Sequence, residues 1–281
     1  MYFTEPVPDY GKVSDIALGV RRIVARNPNL MTYRGTNTYL VDTPSGLLVI
    51  DPGPDDPVHL TAVLAAIGTT RPSAIVATHS HHDHIGNAAA LRTQTEAPLL
   101  RMVTDFGAAY PVDGALVEGD ITHGLQVVYT PGHAPDHICL SRDDGLLFSG
   151  DHVMSWSSST VSPPNGNMSD YYASLRRLLM RADNLYLPGH GPPLPNPQTY
   201  VKMLLAHRIS REDAILDMVQ SGRHTPRDFV EKLYFRRDIR LFPAAERNVI
   251  AHLEKLETEG RVRHCEAGWE AIPEASRSNS R

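Results

Sequence analysis

The densest group of candidate ligands is the six-residue segment 79–84, which reads His-Ser-His-His-Asp-His. It follows the apolar run 74–77, typical of a buried strand, and precedes a helix-like stretch over residues 84–94. A strand that ends in a tight loop would present several imidazoles and a carboxylate at one place. Imidazole nitrogens and carboxylate oxygens are donors that Zn²⁺, Fe²⁺ and Mn²⁺ accept, and alternate residues can divide between two ions. The segment therefore predicts a metal site in preference to a solvated histidine-rich loop.

Three further ligand-type residues, His133, Asp151 and His190, each follow an apolar run and a glycine. The three runs cover residues 125–129, 146–147 and 185–187. Glycine at such a turn lets the backbone adopt a positive φ or approach an ion closely. A lone histidine beside a turn is more often a surface residue. Four strand ends that converge, however, are what a binuclear site at the edges of sheets would require.

In order and spacing, these segments resemble the five metal-binding motifs of the metallo-beta-lactamase superfamily. The resemblance extends back to about Thr36. It implies three ligands for one ion, three for a second ion and one carboxylate shared by both: His79, His81 and His133; Asp83, His84 and His190; and Asp151.

Departures from the superfamily pattern narrow the activity. Zinc beta-lactamases of this superfamily carry a cysteine where this chain has Asp151, and Cys139 and Cys265 lie outside the motifs, so antibiotic hydrolysis is not expected as the main role. Asp151 and His190 are 39 positions apart, which leaves no room for the inserted domain of the beta-CASP nucleases. The lactonases usually end soon after the last ligand, whereas this chain continues from position 190 to position 281.

Within the superfamily, the chain resembles the lactamase-beta-2-like subfamily over essentially its whole length. The shared motifs are Gly-Thr-Asn-Thr-Tyr-Leu at 35–40, Pro-Gly-His at 131–133 followed by His137, and Met-Ser-Asp-Tyr at 168–171. That subfamily contains an endoribonuclease and acyl-carrier thioesterases of the polyketide type. It also places a histidine at the position of His137 facing the substrate pocket, so His137 is a candidate catalytic residue. The alternative is a hydrogen-bonded histidine at a strand end.

The ligand set implies a mechanism. Two cations a few ångströms apart lower the pKa of a bridging water towards ~7 and so supply hydroxide at neutral pH. Asp83 is expected to ligate the second ion and to orient this metal-bridging hydroxide, with ligation alone as the alternative. His82 and His152 are expected to point away from the ligands. Two divalent ions are expected, with zinc first and iron or manganese as alternatives, because a His/Asp set accepts all three.

The elements that must position these residues alternate along the chain. Residues 36–43 and 47–51 are predicted as strands joined at Pro-Ser-Gly, and residues 57–67 as a helix that begins at a proline. Strands and helices then alternate up to a helix at 169–182. This pattern alone predicts an α/β or α+β fold, and the resemblance implies an α+β chain built as an αββα sandwich.

A proline-rich stretch over residues 189–197 predicts a boundary between a catalytic domain, residues 1–196, and an appendage, residues 197–273. In the appendage, three helical patterns and a hairpin resemble a winged helix. They cover residues 199–220, 226–235, 243–259 and 261–272. Residues 274–281 are predicted to form a disordered tail.

Charge limits the role of this winged-helix-like domain. Residues 1–198 hold 12 lysines and arginines against 19 aspartates and glutamates, and residues 199–281 hold 15 against 13. A dedicated duplex binder would be more basic. The domain is therefore interpreted as a packing element, a wall of the substrate cleft or a homodimer contact, in preference to a DNA reader.

Composition and hydropathy predict where in the cell the protein resides. A hydrophobic content of 41% supports a substantial core. The N-terminal residues lack a signal-peptide pattern, and no apolar run reaches the roughly 18 to 20 residues that cross a bilayer. We therefore expect a cytoplasmic protein with no membrane partner.

The leading hypothesis is a binuclear metal-dependent hydrolase that acts on a small-molecule or acyl-carrier thioester. A single-strand endoribonuclease with RNA as its substrate is the second hypothesis. A non-enzymatic nucleic-acid or protein interaction module is the third, and it is disfavoured because every ligand position is intact. Thioesters are favoured over RNA because a thiolate, with a thiol pKa near ~8.5, leaves without much proton donation. A ribose alkoxide needs a general acid within hydrogen-bond reach.

Overall fold

The computed structural model describes residues 2–222, 225–235, 238–266 and 268–273, so the predicted tail at 274–281 lies outside the described residues. A first sheet contains strands β1 (Val13–Ala17), β2 (Val20–Val24), β3 (Asn37–Thr43), β4 (Gly46–Ile50), β5 (Ala74–Val76), β6 (Leu99–Met102) and β7 (Gly114–Leu116). A second sheet contains β8 (Ile121–Thr122), β9 (Leu125–Tyr129), β10 (Ile138–Ser141), β11 (Leu146–Gly150), β12 (Leu185–Pro188) and β13 (Leu194–Pro195). The helices are α1 (Pro57–Ile67), α2 (His82–Ile85), α3 (Ala88–Thr95), α4 (Met168–Leu179), α5 (Pro197–Ser221), α6 (Pro226–Leu233) and α7 (Phe242–Thr258). A 3-10 turn (Ile239–Leu241) precedes α7, and a hairpin of β14 (Val262–Cys265) and β15 (Gly268–Ala271) follows it.

The directions of the strands place the carboxyl ends of several strands at one edge of each sheet. In the first sheet β1 to β4 are antiparallel, and β4 to β7 run parallel. In the second sheet, in the order β13-β12-β11-β10-β9-β8, only the β11–β12 pair is parallel. The loops that follow parallel strands lie at a common edge, which is the usual position of functional residues in such sheets.

The two sheets pack face to face because their strands are apolar on both sides. Along β4, Leu48 and Ile50 point into the core between the sheets, where Phe148 and Leu187 of the second sheet meet them. Leu47 and Val49 point the other way, towards α1 and α3. Successive strand residues face opposite sides, so a continuous apolar run serves two cores at once.

Helices cover the outer face of each sheet. α1 begins at Pro57 behind the N-cap Asp56, whose side chain accepts the backbone N–H of Val58, and it packs on the first sheet. On the second sheet, Leu175 and Leu178 of α4 enter the outer core. The predicted αββα sandwich is therefore confirmed.

Helix α5 contributes to two cores. Its N-terminal half places Tyr200, Val201 and Leu204 in the outer core of the second sheet. Its C-terminal half places Ile215 and Val219 in a separate core that α6, α7 and the hairpin complete. The three helices and the hairpin that were predicted beyond the sandwich are present. The first of these helices, α5, packs on the sandwich with its N-terminal half.

One predicted helix is divided. The pattern over residues 84–94 predicts one helix, but α2 ends at Ile85 and α3 begins at Ala88. Gly86 packs so closely against the neighbouring loop that a Cβ there would lie 2.4 Å from the backbone nitrogen of Asp55, and Asn87 donates its N–H to Gly53 O at 3.1 Å. These contacts between loops separate the two helices.

Helix composition also bears on membrane contact. Among the described residues, no helix combines the length and the apolar character needed to cross a bilayer.

Candidate metal centre

The seven predicted ligands come together from both sheets at one edge of the sandwich. The segment 79–84 follows β5 of the first sheet. His133 follows β9, Asp151 follows β11 and His190 follows β12, all in the second sheet. The ligand atoms form three groups, with atoms in each group within 4.8 Å of one another: His79, His81 and His133; His79, His84 and Asp151; and Asp83, His84 and His190.

The first group is formed by three imidazoles. His79 Nε2 and His133 Nε2 each lie 2.9 Å from His81 Nδ1. We call the group of Asp83, His84 and His190 the second group. In it, His190 Nε2 lies 3.2 Å from Asp83 Oδ2 and 3.3 Å from the Nε2 atom of His84.

Asp151 lies between these two groups. Its Oδ2 atom is 3.7 Å from His133 Nε2 and 3.4 Å from His190 Nε2, and its Oδ1 atom is 3.4 Å from His84 Nε2. A carboxylate so placed can bridge two ions.

Hydrogen bonds to the opposite ring nitrogens direct the lone pairs of these histidines inwards. His133 Nδ1–H donates to Thr160 O at 2.7 Å, and His190 Nδ1–H donates to Gly35 O at 3.2 Å. A carbonyl oxygen can only accept, so in the neutral ring each Nε2 atom carries a lone pair. Such outer partners are the usual means by which proteins orient metal-binding histidines.

Asp51 orients two more ligands, and sequence reasoning missed it. Its buried carboxylate lies 2.9 Å from His84 Nδ1 and accepts Thr78 Oγ1–H at 2.8 Å and Thr78 N–H at 2.7 Å. The Thr78 hydroxyl, having donated to Asp51, accepts from His79 Nδ1 at 3.0 Å. The sequence did contain a signal for Asp51. Like the candidate metal ligands, it follows an apolar run and stands next to a turn that contains glycine, here Pro-Gly.

This arrangement fits divalent metal ions. Imidazole nitrogens with inward lone pairs lie 2.9 Å apart in the first group and 3.3 Å apart in the second. Asp151 Oδ1 is buried and makes no hydrogen bond among the described residues. Converging lone pairs repel one another unless a proton or a cation lies between them, and nitrogen and carboxylate oxygen suit Zn²⁺, Fe²⁺ or Mn²⁺.

The pKa values show the same preference for positive charge. Burial lowers the pKa of His81 to about 3 and also lowers the pKa of His133. At His190 burial acts in the same direction, but the carboxylates of Asp151 and Asp83 outweigh it and raise the pKa to about 9. The first group is therefore neutral, and the second attracts a cation.

The expectation that His137 faces the substrate pocket is wrong. The ring is fully buried, and its Nδ1 atom lies 2.9 Å from Thr130 Oγ1. Its Nε2 atom accepts the backbone N–H of Asp151 at 3.1 Å, so that nitrogen has no proton to give. His137 holds the backbone of Asp151 in place, which corresponds to the alternative of a hydrogen-bonded strand-end histidine.

His82 and His152 both lie outside the ligand groups. His82 is exposed, and its Nδ1 atom lies 3.1 Å from Tyr110 Oη. His152 is fully buried, with its ring 4.6 Å from that of Tyr171, and burial lowers its pKa to about 3. Neither side chain points at the ligand nitrogens, as the alternation of residues predicted.

The candidate metal centre opens into a cleft of about 1050 Å³. Its lining combines apolar residues with residues of α5, α7 and the turn before α7. The apolar residues include Leu30, Met31, Met154, Trp156 and Phe242. His81, Asp83, His133, Asp151 and His190 are the ligands that line the cleft.

The loop that supports His133 is held by the winged-helix-like domain. Asn248 Oδ1, on α7, accepts the Val161 N–H at 3.0 Å and Arg208 Nη1–H at 3.0 Å. Arg208, on α5, also donates to the carbonyl of Ser159, whose hydroxyl in turn donates to the carbonyl of Asp151. The backbone on both sides of Thr160 is thus fixed by residues from beyond the sandwich.

Comparisons with known proteins agree with this architecture. Residues 31–190 match the sequence model described as the metallo-beta-lactamase superfamily, and residues 225–269 match that of the beta-lactamase associated winged helix domain. The chain is 33% identical over 277 residues to a beta-lactamase-like protein 2 homolog of Drosophila melanogaster, across 89% of this chain and 92% of that protein. It is 30% identical over 231 residues to an atrochrysone carboxyl ACP thioesterase of Aspergillus fumigatus, across 76% of this chain and 69% of that protein. A beta-lactamase domain protein from Burkholderia ambifaria has a similar fold, with a TM-score of 0.83 and 24% identity over 96% of this chain and 97% of that chain.

Proposed function

The chain belongs to the metallo-beta-lactamase superfamily, and on that premise we propose that it hydrolyses acyl thioesters with two divalent metal ions. Membership confirms the resemblance inferred from the motifs, and the superfamily consists generally of hydrolases. The substrate, the number of ions and their identity as zinc are our proposals, with iron or manganese as alternatives.

The observation that carries this proposal is the convergence of seven donors on one edge of the cleft. Four of the five histidines have their other ring nitrogen held by a hydrogen bond, so the free nitrogens face inwards. Metal ions held by these residues would activate a water molecule at neutral pH and polarise a carbonyl oxygen.

Asp83 is suited to orient the attacking water. It lines the cleft and its side chain keeps 29% of its surface exposed, whereas the neighbouring His84 is fully buried. Thr36 Oγ1 donates to Asp83 Oδ2 at 3.4 Å, on the side of His190. Burial raises the pKa of Asp83, but His84 and His190 outweigh it, so the carboxyl stays ionised and can accept a hydrogen bond from water.

The cleft favours a thioester over RNA. Its apolar wall, which includes Leu30, Met31 and Trp156, suits an acyl chain better than ribose and phosphate. His137, the candidate catalytic residue, is buried and its Nε2 atom accepts a backbone N–H, so it is not placed to protonate an alkoxide leaving group. A thiolate needs little protonation to leave. The relative from Aspergillus fumigatus, which is named as an ACP thioesterase, supports the same substrate class.

A parallel assay tests this proposal. Metal-loaded protein is offered acyl thioesters, lactones and labelled single-stranded RNA, and thioesters are expected to turn over fastest. Asp83→Asn should reduce turnover by more than the roughly 100-fold that loss of an outer ligand partner costs. His82→Gln, from the same motif but outside the ligand groups, is the matched control and should retain activity.

An endoribonuclease is the competing outcome. RNA cleavage that exceeds thioester turnover and is lost in Asp83→Asn would replace our proposal with single-strand RNA hydrolysis. Metal-independent binding of RNA or protein without any turnover would instead indicate an interaction module.

A further inference from the structure

Three arginines line the cleft into which the candidate metal centre opens. Arg208 and Arg211 belong to α5, and Arg247 belongs to α7. We call these three residues the arginine wall. Arg208 is 3% exposed, and the other two are half-buried.

The arginine wall is held by neutral groups. Arg247 Nε–H donates to Ser162 Oγ at 3.0 Å. Arg211 Nη1–H donates to Leu233 O at 3.2 Å, and its guanidinium lies 4.6 Å from the centre of the Tyr234 ring. Arg208 bonds the amide of Asn248 and a backbone carbonyl. These contacts fix the positions of the side chains without neutralising them.

Within the described part of the chain, no carboxylate forms an ion pair with these arginines, although the charge of Arg247 acts to lower the pKa of Glu254. None of the three guanidinium groups lies within 4.0 Å of an acid there, in contrast to Arg227, which pairs with Glu246 at 3.1 Å and Glu231 at 2.8 Å. Glu246 is itself on the cleft wall, so the Arg227 pair removes that negative charge from it. The Nε atoms of Arg208 and Arg211 are buried and have no hydrogen-bond partner among the described residues.

Uncompensated positive charge in a partly enclosed, largely apolar cleft attracts an anion. Such a cleft focuses the field, and burying a cation without a partner is costly. Arginine is suited to phosphate because its planar guanidinium offers two parallel N–H donors.

We propose that Arg211 and Arg247, with Arg208 behind them, bind the phosphate of a phosphopantetheine-type arm that carries the acyl thioester. This inference rests on the proposed function and names its substrate class. An amphipathic molecule with an apolar acyl end and one phosphate matches a cleft that is lined by apolar residues, by arginines and by the candidate metal ligands. A nucleic acid would present phosphates along its whole length, against a sandwich with 12 basic and 19 acidic residues over positions 1–198.

A binding experiment separates the phosphate from the rest of the ligand. Calorimetry on metal-loaded protein compares non-hydrolysable thioether analogues of pantetheine and of 4′-phosphopantetheine. The phosphate is expected to tighten binding at least about 10-fold in the wild-type protein, as a charge-assisted contact allows. Arg211→Gln and Arg247→Gln should each reduce that ratio towards one, and Arg211→Lys and Arg247→Lys should retain part of it.

Arg240→Gln is the matched control. Arg240 is exposed, pairs with Asp238 at 2.6 Å and does not line the cleft, so its loss should leave the ratio unchanged. Thermal melts of all variants show whether each one is folded before the ratios are compared.

A kinetic experiment tests whether the same arginines recognise the phosphate of substrates that can be hydrolysed. Acyl-phosphopantetheine on a carrier protein and free acyl-CoA are compared with the acyl thioester of pantetheine, and the arginine variants should raise KM for both phosphate-bearing substrates. Equal binding of the two analogues by the wild-type protein would overturn the phosphate site even if thioesters are hydrolysed. A phosphate preference without any thioester turnover would leave the site standing and defeat the proposed function. Binding of an RNA oligonucleotide that Arg211→Gln and Arg247→Gln weaken, with no binding of the phosphopantetheine analogue, would reassign the arginine wall to RNA.

Discussion

Replacing Asn248 tests whether the winged-helix-like domain supports the candidate metal centre. Its Oδ1 atom accepts the Val161 N–H and Arg208 Nη1–H, both at 3.0 Å. Asn248→Ala removes this shared acceptor and leaves two donors without partners. The backbone next to Val161 includes the Thr160 carbonyl that orients His133 at 2.7 Å.

The magnitude follows from the two donors. A buried donor left unsatisfied costs about 1–3 kcal/mol, and more when it is charged. We therefore expect the free energy of unfolding to fall by about 2–4 kcal/mol, less whatever water recovers. Loss of an outer partner of a metal-binding histidine typically lowers metal affinity about 10- to 100-fold, and we expect a change of this size.

Denaturant unfolding and a chelator competition titration measure the two quantities separately. Asn248→Asp retains an acceptor for both donors and should retain most of the metal affinity. Asn184→Ala is the matched control, because Asn184 is exposed and its side chain donates to Asp144 O at 3.2 Å, away from the site. A loss of stability with unchanged metal affinity in Asn248→Ala would refute the reasoning, because the domain would then stabilise the chain without positioning His133.

Three further predictions concern the metals, the domain and pH. Asp151→Ala should lower the metal content below the about two ions that the seven ligands imply, and elemental analysis that finds two ions in this variant would remove Asp151 as the bridge. Truncation after Asn196 should give insoluble or nearly inactive protein, because it uncovers the outer core that Tyr200, Val201 and Leu204 complete; a soluble, active truncate would contradict this. Burial lowers the pKa of His252 from 6.5 to about 4. The unfolded chain therefore binds the proton first as the pH falls, and the free energy of unfolding should decrease by about 1.4 kcal/mol per unit between those pH values. His252→Gln should lose that part of the pH dependence in chemical denaturation of the metal-loaded protein, and an unchanged slope would reject it.

The ligands could be predicted from the sequence because each stands in a short local motif. A strand, a turn and a donor are encoded within about ten residues, so His79, His133 and His190 needed no knowledge of the tertiary structure. The orientation of His137 could not be predicted in this way. It depends on the backbone N–H of Asp151, which a neighbouring strand brings to its Nε2 atom.

The cleft was beyond sequence reasoning for a related reason. Arg208 and Asn248 are 40 positions apart, and their contact depends on how α5 packs beside α7. A charge count over residues 199–281 averages the arginine wall with paired residues such as Arg227, and it therefore hides a local excess of positive charge. Periodicity predicts which face of a helix is buried, but it does not give the partner of each polar side chain.

Helix α5 also determines how the cleft can move. It contains 25 residues, which makes it about 37 Å long, and it has no glycine or proline after Pro197 at its start. Its two ends are embedded in two different cores, so the walls of the cleft are joined by a stiff rod with no hinge. We therefore expect the width of the cleft to be fixed before a ligand binds, so that the thickness of a ligand decides whether it can enter. On the same ground we expect products to leave along the cleft without a large separation of its walls.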